Sequence, residues 1–199
     1  MKLLIYFSLF LFSQAIFAKD VKLIKFYNNH WQITNKSIEY LKKGEILAES
    51  SVENHKGNVQ SFKINIAALH KRKCSRVLRK LSMYENYSDW ISFIKSSKYD
   101  EKNKLLTIKA DHTLLPFPMI VHIIVERART EGVYSFSFPT GMFKGLKGKF
   151  LIKQHKAGCA FYADSKWIGK HTKIPNFVIE LFSETLTKMA GNILFRKFN

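Results

Sequence analysis

The residues from Pro175 to Phe198 constrain this chain more than any other stretch. Proline suits a first helical position, where its missing N–H would have had no partner anyway. No further proline follows it. Val178, Leu181, Phe182, Leu186, Met189, Ile193 and Leu194 recur at three- and four-residue steps, so they share one broad face. Glu180 and Glu184 stand toward the positive end of the helix dipole, and Arg196 and Lys197 toward the negative end. A terminal helix with so wide an aromatic and Met-bearing face needs a large apolar partner. Plain core packing and the partial lining of a cavity are both open readings of that face.

The middle of the chain offers the partner. From Val59 the pattern alternates, with Phe62, Ile64 and Ile66 on one side and Ser61, Lys63 and Asn65 on the other, which predicts a half-buried strand. A helix is expected from His70 to Leu81, with Cys74, Val77, Leu78 and Leu81 on its inner face and Arg72, Lys73, Arg76, Arg79 and Lys80 outside. The polar-aromatic segment Tyr84 to Trp90 reads as a second short helix or turn. Further strands are expected at Phe93–Tyr99, Leu105–His112, Met119–Arg127, Val133–Phe138, Leu146–Gln154 and Cys159–Trp167. Turn residues separate them, among them Asp100 to Asn103, Pro116-Phe117-Pro118 and Lys156 to Gly158. Ahead of the first strand, Ser37 is placed to cap a short helix, Ile38–Lys43, that stops at Gly44. Glu45–Ser51 reads as extended, and His55-Lys56-Gly57-Asn58 as a turn. The resulting α+β expectation is one curved antiparallel sheet of about seven strands wrapped around the terminal helix.

The amino terminus reads differently. Lys2, an apolar run from Leu3 to Phe12, and small residues at Ser13, Ala15 and Ala18 have the layout of a secretory signal peptide over residues 1–18. A retained membrane anchor is the other reading of that run, which is short for a bilayer span. Export to a periplasm or out of the cell is the expectation. The formal charge of +18 invites a nucleic-acid reading, but export and the scatter of the lysines argue against it. The anionic lipid headgroups of a membrane surface, or an acidic partner, fit the compartment better, and a solvated basic surface with no specific partner is the leading reading of the charge.

Three stretches carry a family likeness. The first is Phe62 to Trp90, where Ile64-Asn65-Ile66-Ala67-Ala68 leads to a helix with Val77 and Leu78 and then to Tyr84-Glu85-Asn86-Tyr87-Ser88-Asp89-Trp90. The second is the glycine-spaced Gly141 to Phe150, and the third is Gly158 to Ser165 with the Pro175 helix. In order and spacing these resemble the START-like superfamily, the helix-grip proteins that group polyketide cyclases and dehydrases, lipid-transfer domains and coenzyme Q-binding proteins. Ser82 or Met83 stands where many relatives carry an aspartate before the aromatic pair. The likeness covers about Leu41 to Phe198; residues 58–199 read as the domain and residues 19–57 as an extension packed on it, and the resemblance implies a hydrophobic ligand such as a lipid or isoprenoid in a groove between sheet and terminal helix. It leaves carrier and cyclase/dehydrase-type enzyme as alternatives and implies no cofactor.

By strand parity and helix face, the residues expected to line that groove are Phe62, Ile64, Tyr134, Phe136, Phe150, Phe161, Phe182, Leu186 and Met189. Catalysis finds little support: no Ser-His-acid or His-Glu-x-x-His spacing occurs, and only His112, His122 and Tyr134 are candidates for acid–base work. Gly141, Gly145 and Gly148 read as turn glycines, since the Lys-Ser/Thr ending of a phosphate loop is missing. Cys74 and Cys159 lack a zinc pattern. If the last strand pairs antiparallel with the first, Cys159 falls near Ile66 and within reach of Cys74, so a disulfide and two buried thiols both stay open.

Overall fold

The computed structural model describes residues 21–113 and 118–197. The expected signal sequence, the Pro116-Phe117 part of one turn, and Phe198 lie outside those residues. Eight antiparallel strands form one sheet in the order β1-β2-β8-β7-β6-β5-β4-β3. They are β1 (Leu47–His55), β2 (Val59–His70), β3 (Ile94–Asp100), β4 (Leu105–Ala110), β5 (Met119–Val125), β6 (Gly132–Ser137), β7 (Lys147–His155) and β8 (Gly158–Lys170). Helix α1 (Asn35–Lys43) precedes the sheet, α2 (Cys74–Leu81) and the one-turn α3 (Tyr87–Trp90) follow β2, and α4 (Asn176–Lys197) ends the chain. The sheet has one strand more than the sequence suggests, because Leu47–His55 pairs along its whole length with β2.

Several boundaries move for local reasons. Thr34, rather than Ser37, caps α1, accepting the Ser37 N–H at 3.1 Å, and Gly44 ends the helix at a φ of 88°. The Pro175 carbonyl accepts from Val178 and Ile179, so proline stands at the cap and Asn176 opens the helix. β2 runs on to His70 opposite Cys159, so α2 starts at Cys74, four residues later than expected. Cys159 therefore faces His70 instead of Ile66, and it forms a disulfide with Cys74 across a Cα separation of 4.7 Å.

The sheet is curved, and its contacts with α4 show why it has to be. Eight strands laid flat would set the two edges roughly 34 Å apart. Yet Gly191 lies against Ile46, just ahead of β1, while Met189 and Ala190 pack on Ile91, Phe93 and Ile94 beside β3. These helix positions are neighbours in sequence, so α4 bridges both edges at one level. Pairing parity puts Phe62, Ile64, Ile66 and Ala68 of β2 on the helix side and Ala67 and Leu69 on the other. The outer side of β2, β7 and β8 is covered by residues 21–28, which are helical, and by α1, through Leu23, Tyr27, Ile38 and Leu41. Tyr27 lies fully buried there and donates to the Ala68 carbonyl at 2.7 Å.

The Cys74–Cys159 bridge closes a sequence separation of 85 residues, which corresponds to about 2–5 kcal/mol of stability. Replacing both cysteines by serine is expected to lower the urea midpoint accordingly, and thiol titration of the denatured, non-reduced protein should find no free thiol.

Candidate functional site

The space between α4 and the sheet is walled by alternate residues of the strands. Cross-strand rows on the helix side read Ala48–Ile66–Ala163–Phe150–Tyr134 and Ser50–Ile64–Ser165–Gly148–Phe136–Val125. β4 and β5 continue the wall with Leu106, Ile108 and Ile123. Opposite them α4 presents Phe182, Leu186, Met189 and Ile193, a stripe at steps of four, three and four. Gly148 is required by this wall. A Cβ there would sit 2.3 Å from the Phe136 ring and 2.4 Å from the Asp164 carbonyl, so only glycine lets that ring lie over β7 and stack on Phe150 at 4.6 Å.

The expected lining residues divide into two groups. Phe62 and Ile64 are buried in a packed cluster with Val52, Leu146, Trp167 and Ile179 at one end. Tyr134, Phe136, Phe150, Phe161, Phe182, Leu186 and Met189 are only half-buried. Ile66, Ile108, Ile123, Phe138 and Ile193, which the sequence reading passed over, are half-buried too. All of these but Phe182 pack against buried clusters facing the helix side. Large apolar side chains turned inward from both walls thus keep solvent-accessible surface.

Polar groups fasten the rim. Glu184 accepts the Ser50 N–H at 2.9 Å and Glu180 the Val52 N–H at 2.7 Å, both outward amides of edge strand β1. Asn176 donates to the Val52 carbonyl at 3.1 Å and accepts from Gln60 at 2.9 Å. At the other end of α4, the buried His70 takes the Arg72 N–H on Nδ1 at 3.1 Å, so Nε2 carries the proton and donates to the Phe195 carbonyl at 3.3 Å. Burial holds this imidazole below its ordinary range, the Phe195 bond opposes that in part, and the Arg72 charge adds to it. His155 is also lowered, first by burial and then by Lys153.

Outside the groove, Arg127 ties the end of β5 to Glu85, Glu101 and the Ser82 carbonyl, with its guanidinium 4.3 Å from the Tyr99 ring centre. Glu126 pairs with Lys104. Of the candidate acid–base groups, His122 lies on the outer side of the sheet beside Thr107, at 3.1 Å. His112 stands past the end of β4, edge-on to Phe93 at 5.6 Å. The Tyr134 hydroxyl is engaged by Thr130, donating to its carbonyl at 2.8 Å. Among the described residues no cluster of His, Cys, Asp and Glu could hold a metal ion, and no helix is long and apolar enough to cross a membrane.

Solved structures share this architecture. Ara h 8.0201 aligns over 70% of this chain and 97% of its own, at 9% identity and a TM-score of 0.54. A conserved protein from Geobacillus kaustophilus aligns over 67% of this chain and 93% of its own, at 13% identity and a TM-score of 0.54. BexL, an ARO/CYC di-domain from the BE-7585A biosynthetic pathway, aligns over 67% of this chain and 45% of its own, at 14% identity and a TM-score of 0.50. The fold is START-like. No protein-family model matches this sequence, and a sequence search of curated proteins finds no match. The START-like likeness is therefore one of fold, and fold leaves chemistry open.

Two measurements follow from the rim. Because the folded-state values of His70 and His155 lie below the unfolded value of 6.5, the unfolded chain binds protons first as pH falls. The melting temperature should be level above about pH 7 and drop once pH passes below about 6.5. Glu184→Ala should cost about 1.5–3 kcal/mol in denaturant unfolding, as expected for a lost charge-assisted bond, and Glu184→Gln, which keeps an acceptor, less.

Proposed function

We propose that this protein binds a hydrophobic small molecule, a lipid or an isoprenoid-like compound, between α4 and the sheet, and carries it to or from a membrane after export. The observation that supports the reading is the half-buried inner surface: Phe136, Phe150 and Phe161 of the sheet and Phe182, Leu186 and Met189 of the helix are large apolar side chains that each keep some exposed surface. Burying about ten methylenes there gains about 8 kcal/mol. Micromolar affinity corresponds to about −8.2 kcal/mol, so a somewhat longer chain reaches it after the cost of ordering the ligand. No charge pair is needed. Export is supported by the charged start and apolar run of residues 1–18 and by the Cys74–Cys159 bridge, which suits an oxidising compartment. The BexL likeness raises a cyclase-type alternative, but His122 on the outer side and the engaged Tyr134 hydroxyl bring it no acid–base pair.

The purified protein should enhance 1-N-phenylnaphthylamine fluorescence with a micromolar dissociation constant, and native mass spectrometry should show co-purified lipid. Leu186→Trp, which fills the groove, should weaken uptake about tenfold while the protein still melts cooperatively. Clean apo protein with no uptake of the probe would overturn the reading.

A further inference from the structure

Acidic residues stop at Glu53 and resume only at Glu85, and Lys71, Arg72, Lys73, Arg76, Arg79 and Lys80 fall within that gap. The structure wraps this run around one end of the molecule. Cys74, Val77 and Leu78 take the buried side of α2, held by the disulfide, which leaves Arg76 and Arg79 exposed on the opposite side. Two other segments bring charge to the same end. The His70–Phe195 contact sets Arg196 and Lys197 beside the Lys71 turn. The Cys159 N–H donates to the Arg72 carbonyl, which brings Lys156 of the β7–β8 turn alongside. Among the described residues no ion pair engages Lys71, Arg72, Lys73, Arg76 or Arg79.

The surface is hollowed at both ends of α2. One hollow, of about 520 Å³, is lined by Lys71, Arg72, Lys73, Ser75 and Arg76. The other, of about 480 Å³, is lined by Arg79, Ser82, Met83, Glu101, Arg127 and Arg129. Met83 stands among these cations with 43% of its surface exposed. Val77 and Leu78 share a cluster with Tyr134, Phe161 and Leu194, so this end of the molecule is also an end of the groove.

We propose that the α2 end is the docking face for an anionic phospholipid bilayer, with headgroup phosphates in the two hollows and Met83 turned toward the acyl boundary. The proposal names the membrane partner of the carrier reading and rests on it for the source of the lipid. The chemistry that selects a bilayer is on the surface itself. Cations spread over a broad face, with Lys71, Arg72, Lys73, Arg76 and Arg79 outside any ion pair among the described residues, are drawn to the negative potential of anionic lipid. An exposed thioether among them adds an apolar contact, whereas none of the six cationic positions is interleaved with an exposed aromatic on which bases could stack.

Flotation of the full mature chain with phosphatidylcholine vesicles containing about 30% phosphatidylglycerol, against vesicles of phosphatidylcholine alone, tests this. The expected result is binding about tenfold or more tighter to the anionic vesicles, lost as salt rises toward about 0.5 M. The triple variant Lys73→Glu/Arg76→Glu/Arg79→Glu should lose about tenfold in vesicle affinity, with its melting temperature and probe uptake unchanged. A charge-matched control on the outer side of the sheet, Lys63→Glu/Lys109→Glu/Lys166→Glu, should stay within about twofold of the wild type. Equal binding to neutral vesicles, equal loss in the two triple variants, or tighter binding to a DNA duplex than to anionic vesicles at the same salt would each overturn the proposal. Failure of probe uptake with vesicle binding intact would instead count against the groove alone.

Discussion

The helix–edge contact at β1 is what the rest of the structure depends on. An edge strand presents unpaired N–H groups that would otherwise face water or another chain. Here the Ser50 and Val52 amides are taken by Glu184 and Glu180 of α4. The match is geometric: four residues along a helix advance roughly 6 Å, and two residues along a strand advance roughly 6.7 Å. Carboxylates one helical turn apart therefore meet successive outward amides of the strand. With β1 fastened in this way and β3 met by Leu186, Met189 and Ile193, the sheet has to bend around the helix.

Because the helix is held at its rims, the surface between them need not be filled to keep it in place. The N-terminal half is fixed by Asn176, Glu180 and Glu184, and the C-terminal end by Phe195 against His70 and by Leu194 against α2. The disulfide in turn fixes α2 to β8. A sheet and helix fastened this way can leave Phe136, Phe150 and Met189 partly exposed without losing the grip. Gly148 contributes from the sheet side, since its missing side chain lets Phe136 lie along the wall instead of across the groove.

Much of this was legible residue by residue. Period-two alternation placed Tyr134, Phe136, Phe150 and Phe161 on one side of their strands, because pleat geometry leaves no other choice. Turn glycines and prolines marked most connections within a few residues. β1 was harder to read: Leu47 to His55 is Leu-Ala-Glu-Ser-Ser-Val-Glu-Asn-His, with too few apolar residues to alternate clearly. Its identity as a strand comes from pairing with β2 and from the helix carboxylates, both distant in sequence. The start of α2 was misplaced for a related reason. His70 has its backbone claimed by β8 and its ring by Phe195, so the strand persists past the point where local pattern turns helical.

The sequence by itself determined which residues could face a common apolar space, the presence of a long terminal helix, and the absence of acid between Glu53 and Glu85, since each depends only on local periodicity and charge. Tertiary structure alone decided that Glu180 and Glu184 serve an edge strand instead of merely the helix dipole, and that Cys159 meets Cys74 from opposite His70. The physical reason is that a hydrogen bond or a disulfide between segments far apart in sequence depends on how the whole sheet curves, and no stretch of local pattern carries that information.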